Sequence, residues 1–322
     1  MWKFALRRFL LTIPQIIILS FLIFILADLM PGDALTGLID PNISPDVIAA
    51  QREALGLNNP WYERYWEWIT NIVLHGDFGQ SFRFRMPAID IIGQRVGNTL
   101  RLSTLTLILT YVIAIPLGII SGRHHDTWKD RVITTYTFLG FGVPVFIFAL
   151  LMLFLFGFHL NLFPTGGSVA PGMSPADGLA YHLSRIRHMI LPALSVAVIS
   201  TMGPIQYLRG EIVDAQQKEY VAAVRAKGAD ERRVYNKHIL RNSLLPIASF
   251  LGIQIAFLIG GAVFIETIFS YPGMGDLVVQ SILNRDFTVM TALTLLFGVT
   301  MIFGAFLSDI LLMIVDPRVE IE

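Results

Sequence analysis

The sequence contains no cysteine among its 322 residues, which excludes disulfides, thiolate metal sites and cysteine nucleophiles. Charge is also scarce, because only 15% of the residues are Asp, Glu, Lys or Arg, whereas a soluble domain carries about a quarter. The formal net charge is zero, which argues against a globally basic nucleic-acid-binding protein. The pattern Gly-x-x-x-x-Gly-Lys-Ser/Thr does not occur, so the chain lacks the phosphate-binding loop of P-loop ATPases.

Long apolar runs fill the sequence instead: 54% of the residues are hydrophobic, and the mean hydropathy is +0.62. Since about 20 mostly apolar residues cross a bilayer, six stretches qualify as spanning helices. The first run is too long for a secretory signal and has no typical cleavage site after it, so we expect it to be retained. The composition therefore predicts an all-α polytopic membrane protein with six transmembrane helices, at about Phe9–Leu29, Leu102–Ile120, Val132–Phe158, Met189–Leu208, Leu244–Ile265 and Val289–Val315.

The distribution of Lys and Arg predicts the orientation. Fifteen of these residues lie in the N-terminus, in segments 123–131 and 209–241, and in the tail after Val315, and the other nine are spread over far more sequence. Cytoplasmic loops carry the excess of positive charge. Both termini and the segment 209–241 are therefore predicted to be cytoplasmic, and the even number of spans is consistent with termini on the same side.

We expect two parts. Residues 1–100 would form the first transmembrane helix and a large extracytoplasmic region, and residues 101–322 a five-helix core with a cytoplasmic loop at about 209–243. In the outer region, Ser44 and Pro45 indicate the start of a short helix reaching Leu57. The loop from His159 to His188 is turn-rich and predicts no regular element. A second outer helix carries an aromatic stripe that lies either at the lipid headgroups or against other helices: Trp61, Tyr62, Tyr65, Trp66 and Trp68.

The cytoplasmic loop contains a strongly polar segment with its own pattern. Glu219 and three alanines at 222, 223 and 226 recur at helical spacing, so a short helix would present a small, flat face. Gly228 is expected to end this helix, and Asp230 with Glu231 to begin a second one, acids first. Such a pair of helices suits docking in a groove of another protein. A solvated basic loop that only sets topology is the alternative.

This segment resembles the cytoplasmic loop of ATP-binding-cassette importer permeases, in which Glu-x-x-Ala-Ala and a later Gly precede a Leu-Pro ending. Here Glu219, Ala222, Ala223 and Gly228 match, and Leu245-Pro246 lies further from Gly228 than in the shortest family form. Motifs along nearly the whole chain are similar to the peptide branch, the B-type subunit of dipeptide and oligopeptide importers. They include Met30-Pro31-Gly32-Asp33, Gly76-Asp77-Phe78-Gly79-Gln80-Ser81, Asn98-Thr99-Leu100, Glu266-Thr267-Ile268-Phe269, Tyr271-Pro272-Gly273-Met274-Gly275 and Asp316-Pro317-Arg318.

The resemblance implies a type I importer permease fold in a bacterial-type cell membrane. Its implied partners are a second homologous permease subunit, two ATP-binding-cassette ATPases and an extracytoplasmic peptide-binding protein, besides lipid; no nucleic acid is implied. ATP and Mg would be bound by the ATPases, so this chain would be no enzyme and hold no cofactor. The substrate could be a dipeptide, a longer peptide, glutathione or a nickel chelate. The implied contact with the ATPase is made by Glu219, Tyr220, Ala222, Ala223, Arg225 and Gly228.

A self-sufficient, proton-coupled secondary transporter is the alternative, and it would need carboxylates near the middle of the membrane. Asp28 and Glu266 are predicted near outer helix ends and Asp309 inside the last helix, and none has an obvious basic partner in sequence. We expect Glu266 instead to position the turn Tyr271-Pro272-Gly273. The adjacent pair His124-His125 predicts a solvated turn rather than a metal site.

Overall fold

The computed structural model describes residues 2–30, 45–54, 56–81, 83–244, 247 and 263–315. The N-terminal part consists of short helices around one long helix. A π-helical turn, Asn71–His75, extends α3, and the two-residue strands pair antiparallel, with Gln80 opposite Pro87. The elements are α1 (Trp2–Asp28), α2 (Pro45–Ala54), α3 (Trp61–Thr70), β1 (Gln80–Ser81) and β2 (Met86–Pro87).

The other described residues are mostly helical. α6 continues as a π-helix, Leu153–His159, and a further π-helical stretch, Val234–Ile239, joins α10 to α11. These helices are α4 (Ala88–Arg123), α5 (Trp128–Phe141), α6 (Val145–Met152), α7 (Leu179–Ser200), α8 (Met202–Gln216), α9 (Glu219–Ala226), α10 (Glu231–Arg233), α11 (Leu240–Ser243), α12 (Val263–Ile268), α13 (Met274–Leu283) and α14 (Phe287–Val315).

In the described residues, α1, α4, α7 and α14 are long and apolar enough to cross a membrane, and the bent pair of α5 and α6 would make a fifth span. The all-α membrane fold is thus confirmed. The fourth predicted span is shifted, because α7 begins ten residues before Met189. The predicted span Leu244–Ile265 falls largely outside the described residues, and so do Ser44 and the Leu245-Pro246 ending. The total of six spans and the orientation stay predictions.

The third predicted span, Val132–Phe158, is wrong as a single helix. α5 ends at Phe141, α6 begins at Val145, and their axes differ by 102°. The physical reason is Pro144, which lacks a backbone N–H and disfavours helical geometry at the residue before it. A hydropathy search does not detect this break, because the residues on both sides of it are apolar.

The prediction that loop 159–188 has no regular element is also wrong. Pro175–Asp177 forms a 3-10 turn with a capping box at Ser174, and α7 then starts at Leu179. The first turns of α7 carry Arg185 and Arg187. Because a search for apolar runs excludes charged residues, it does not detect this part of the helix.

The aromatic stripe of α3 combines the two predicted arrangements: part of it packs against another helix, and part of it is exposed. Tyr65 and Trp68 pack on α1, with the Tyr65 ring centroid 5.5 Å from that of Phe21 and the Tyr65 hydroxyl 3.0 Å from Ser20 Oγ. Trp61 also contacts Phe21, at 6.1 Å between ring centroids, whereas Tyr62 and Trp66, on the other side of α3, remain exposed. One face of the stripe therefore fixes α3 to α1, and the other is free to meet lipid headgroups.

Helix α4 connects the two ends of the bundle. It packs closely on α8, since a Cβ added at Gly118 or Gly122 would lie 3.0 Å from Leu208 or 2.7 Å from Ile212. Thr99 lies near one end of α4 and Gly122 near the other. At 1.5 Å per residue these positions are about 35 Å apart, and each marks a polar site.

Candidate functional site

The polar segment near Gly122 has the predicted two-helix form, called here the elbow (residues 219–243). α9 begins at Glu219, only two residues after α8 ends. Gly228 has φ +78°, a left-handed conformation that favours glycine. Asp230 then accepts the backbone N–H of Arg232 at 3.1 Å and caps the second arm, α10 to α11. The predicted helix, glycine turn and second helix are all confirmed.

Helix α9 has a buried side and an open side. Val221 is fully buried and Val224 partly so, in an apolar cluster with Leu208 and Ile212 of α8 and Val234 of the second arm. The residues that the sequence singles out face solvent instead. Glu219, Tyr220, Ala222, Ala223, Arg225 and Gly228 are all exposed. The structure brings them together on one open surface with small side chains in its centre.

The second arm is fixed to α4 and α8. Tyr235 is buried, its hydroxyl donates to the carbonyl of Ile119 at 3.5 Å, and the Arg123 guanidinium lies 4.9 Å from its ring centroid. Burial raises the pKa of the Tyr235 phenol, so this hydroxyl keeps its proton and remains a donor. Ser243 Oγ donates to the carbonyl of Glu211 in α8 at 3.1 Å. The arm therefore has little freedom to swing against the bundle.

An ion pair joins the two arms across the glycine turn. Arg225 donates to Glu231 through Nε at 2.6 Å and Nη2 at 3.3 Å. The carboxylate raises the pKa of the Arg225 guanidinium. Both side chains are largely exposed, 42% and 68%, and such pairs stabilise a protein by only about 0.2–1 kcal/mol. Its main consequence is geometric, because the paired hydrogen bonds restrict the angle between the arms.

An ion pair with a buried carboxylate joins α5 to α8, the helix that precedes the elbow. Asp130 of α5 is 3% exposed and accepts two hydrogen bonds from Arg209 of α8, at 2.7 and 2.8 Å. Ser121 Oγ donates to the same carboxylate at 2.5 Å, and the backbone N–H of Asp126 at 2.9 Å. Sequence reasoning missed this cluster. Both partners lie in polar stretches that predict solvated loops, and no spacing rule links residues 79 positions apart.

The turn that contains His124 and His125 lies beside this cluster. His125 Nδ1 is 2.9 Å from Asp126 Oδ2, and with Asp130 these groups fall within 4.8 Å of one another. Each Asp130 oxygen already accepts a hydrogen bond from Arg209. A metal ion would have to displace the guanidinium, so the three side chains form a poor cation site.

At the far end of α4, a second polar site surrounds Glu266; we call Glu266, Thr99 and residues 271–276 the cradle. Glu266 is fully buried, and its Oε1 accepts from Thr99 Oγ1 at 2.8 Å. Its Oε2 accepts the backbone N–H groups of Gly275 at 2.7 Å and Asp276 at 3.1 Å, at the start of α13. A Cβ added at Gly273 would lie 2.3 Å from the Glu266 carboxyl carbon, so only glycine fits there.

The turn itself is held from the other side by α4 and α7. Tyr271 is fully buried and its hydroxyl donates to the carbonyl of Asn98 at 3.3 Å. Asn98 Nδ2 donates to the carbonyl of Pro272 at 2.9 Å, and Arg185 Nη2 donates to Asn98 Oδ1 at 3.1 Å. The prediction that Glu266 positions the Tyr271-Pro272-Gly273 turn is confirmed.

The other two carboxylates have basic partners that the sequence does not reveal. Asp28 lies 2.6 Å from Arg64 of α3, and Asp309 lies 3.1 Å from Arg8 of α1. A carboxylate that relays protons must exchange them during transport. Ion pairing and the cradle hold these three groups in fixed roles, which does not favour a proton relay.

Two known family models match the sequence. Residues 114–321 match the family described as binding-protein-dependent transport system inner membrane component. Residues 1–103 match the N-terminal region described for the membrane components of such systems. Together the two matches cover nearly the whole chain.

Curated relatives align from end to end. The oligopeptide transport system permease protein AppB of Bacillus subtilis is 37% identical over 321 residues, which is 99% of this chain and 100% of the relative. The glutathione transport system permease protein GsiC of Escherichia coli K12 is 32% identical over 320 residues, 99% of each chain.

Solved structures share the fold at low identity. The MetNI methionine ABC transporter, in inward-facing conformations, matches with a TM-score of 0.56 and 14% identity, over 70% of this chain and 97% of that chain. An amino acid ABC transporter matches with a TM-score of 0.52 and 14% identity, over 70% of this chain and 94% of the other.

Proposed function

The chain belongs to the family of binding-protein-dependent transport system inner membrane components, and we propose that it receives the motion of partner ATPases through the elbow. It is a multi-pass permease subunit of an ABC importer. The observation that supports the role of the elbow is the division of α9 into one buried side, at Val221, and one open side, at Glu219, Ala222 and Ala223.

The open side has the properties of a docking surface. Ala222 and Ala223 leave room for a partner backbone to approach closely, and Glu219 places a carboxylate at the start of the helix, where it can accept hydrogen bonds. Gly228 gives the turn that projects α9 from the second arm. The buried side resists local bending, so a force on α9 passes into α8 instead of being absorbed in the loop.

This arrangement supports alternating access. Closure of two ATPases on ATP would displace the elbow, and the spanning helices would rotate as packed units to open the path on one side or the other. Alternating access driven by cytoplasmic ATPases requires that both termini and the elbow lie in the cytoplasm and that the full chain spans the membrane six times. Each of these is part of the proposal.

The complex would contain this chain, a second homologous permease subunit, two ATPases that bind ATP and Mg, and an extracytoplasmic binding protein. The absence of a P-loop pattern supports hydrolysis by the partners alone. The relatives are named for oligopeptide and glutathione transport, and we propose dipeptides or oligopeptides as the substrate.

A charge reversal at Glu219 tests this proposal. We expect Glu219→Lys to reduce both peptide uptake and recovery of the ATPases with the solubilised complex by about ten-fold or more, since reversal of a contacting charge replaces attraction by repulsion. The fold should be unchanged, because exposed substitutions alter stability by only about 0.5 kcal/mol. Recovery is measured by mass spectrometry of the complex in mild detergent, and uptake in the same cells.

Asp214→Lys is the matched control. Asp214 is an exposed carboxylate at the end of α8, five residues before Glu219 and outside the open side of α9. It should leave both readouts near the wild-type values. Normal assembly and normal uptake in Glu219→Lys would show that the elbow does not contact the ATPases.

A further inference from the structure

The ion pair of Asp130 and Arg209 lies outside the docking surface, and its Asp130 carboxylate is buried, which is unfavourable in free energy for a charged group. Taking the Asp130 carboxylate out of water costs several kcal/mol, although the Arg209 side chain stays 22% exposed, and an ion pair of this kind is often no more stabilising than apolar side chains of similar size. A stability role is therefore a weak explanation for it. What such a pair supplies is fixed geometry, because two parallel hydrogen bonds set orientation as well as distance.

The pair joins three helices at this end of the bundle, among them α8, which leads into the elbow. Asp130 binds Ser121 at the end of α4, the backbone of Asp126 in the α4–α5 turn, and Thr134 one turn further along α5 at 3.2 Å. Arg209 brings in α8. One carboxylate thus holds three helices.

Arg209 is also well placed along α8. It lies two turns before Gln216, the last residue of α8, and α9 follows after two further residues. Gln216 Nε2 donates to the carbonyl of Gly122 in α4 at 3.0 Å, and Gly122 itself packs on Ile212. Packing at glycines lets two helices slide along each other, and a shear of this kind would absorb a displacement of α9. A forked ion pair resists it.

We propose that Asp130 and Arg209 are positioning residues that join α4, α5, α8 and the elbow into one rigid body. A displacement of α9 then moves α4 and α5 together with α8, and the transport path responds to the ATPases as a whole. This inference rests on the proposed function of the elbow. It assigns the transmission of the motion to two residues outside the docking surface.

Replacement of both Asp130 and Arg209 by apolar residues tests whether the ion pair holds these helices together as one rigid body. Breaking only one side would leave an unpaired charge, so the variant is Asp130→Leu with Arg209→Met, an exchange of an ion pair for apolar residues that a fold often tolerates. We expect assembly and ATP hydrolysis in proteoliposomes to be retained. Substrate imported per ATP hydrolysed should fall about ten-fold, a typical size for the loss of coupling between two sites.

The control is the same exchange at another ion pair, Arg8→Met with Asp309→Leu, which links α1 to α14 and lies apart from the elbow. It should import near the wild-type amount per ATP. A purely structural role of Asp130 and Arg209 predicts that the apolar pair also imports normally, and that result would overturn the proposal.

A second measurement keeps the proposal testable even where the variant does not assemble. The chain has no native cysteine, so spin labels can be placed at Lys129→Cys and Gln217→Cys, both exposed, in the otherwise unchanged chain of the complex. We expect the same distance distribution without nucleotide and with ATP, because α5 and the end of α8 move together. A shift of this distance on ATP binding would show that no rigid joint exists.

The two proposals fail in different ways. If Glu219→Lys leaves the ATPases bound and uptake normal, the elbow is not their contact. If Glu219→Lys disrupts the contact but the distance between positions 129 and 217 changes with ATP, only the joint is wrong.

Discussion

The elbow and the cradle lie at opposite ends of α4 and treat polar groups in opposite ways. In α9 only Val221 is fully buried, and the polar and small side chains of the open side face solvent. In the cradle, Glu266 and Tyr271 are both completely buried, and Glu266 has three hydrogen-bond donors around it.

The difference indicates that the cradle fixes the local backbone, whereas the elbow offers a surface to a partner. A buried carboxylate is tolerated only when its hydrogen bonds are made inside the protein, and it then specifies the local backbone. The exposed side of α9 has alanines at its centre, and the ion pair that it forms within the chain, Arg225 with Glu231, is itself largely exposed. The cradle is therefore complete in itself, and the elbow is the part that needs a partner.

The largest effect is expected in the cradle. Glu266→Ala would remove the acceptor of the backbone N–H groups of Gly275 and Asp276, and each buried donor left unsatisfied costs about 1–3 kcal/mol. We expect a large drop in the denaturation temperature of the purified chain in detergent and a low yield of folded protein. Thermal unfolding monitored by circular dichroism measures it.

The neighbouring Thr267 provides the control for this change. It is exposed, and its hydroxyl donates to the carbonyl of Val263 within its own helix. Thr267→Ala should shift the denaturation temperature very little. Equal stability of Glu266→Ala and the wild type would mean that the cradle does not depend on its carboxylate.

A smaller effect is expected at the glycine turn of the elbow. Gly228 and Gly172 have similar left-handed angles, φ +78° and +83°, and a Cβ at either would meet no atom within 4 Å. Alanine at either position should therefore cost about 1–2 kcal/mol of backbone strain. Only Gly228→Ala changes the direction of α9, so we expect it alone to lower uptake per ATP hydrolysed in proteoliposomes.

Gly172, in the loop before α7, is the control position, because alanine there introduces the same backbone strain without affecting α9. Should both variants lose uptake equally, strain and not the direction of α9 is responsible. Should neither lose uptake, the turn at Gly228 does not set the docking geometry.

The smallest effect is expected at the surface of the elbow. Glu231→Gln removes the charge that pairs with Arg225, and both side chains are largely exposed, so the free energy of unfolding should fall by at most about 0.2–1 kcal/mol. The effect should shrink further in high salt, which screens exposed charges. Unfolding at low and high ionic strength measures it, and a loss that salt does not reduce would contradict a surface ion pair.

Local signals in the sequence were enough for part of this structure. Alanine spacing, Gly228 and the acids at 230 and 231 predicted the elbow, because capping and glycine torsions depend on neighbouring residues alone. Apolar runs predicted α1, α4 and α14. The same runs failed at Pro144, where one residue outweighs its apolar surroundings, and at the start of α7, where charged residues continue a helix beyond the apolar stretch.

The sequence by itself determined that the chain is a helical membrane protein with a polar two-helix segment and a glycine turn, since hydropathy and backbone preference are properties of short stretches. Only the tertiary structure decided which side of α9 is open and that Asp130 meets Arg209. It also supplied the partners of Asp28, Glu266 and Asp309. These contacts join helices far apart in sequence, and they depend on how each helix is rotated in the bundle, which no single stretch of sequence specifies.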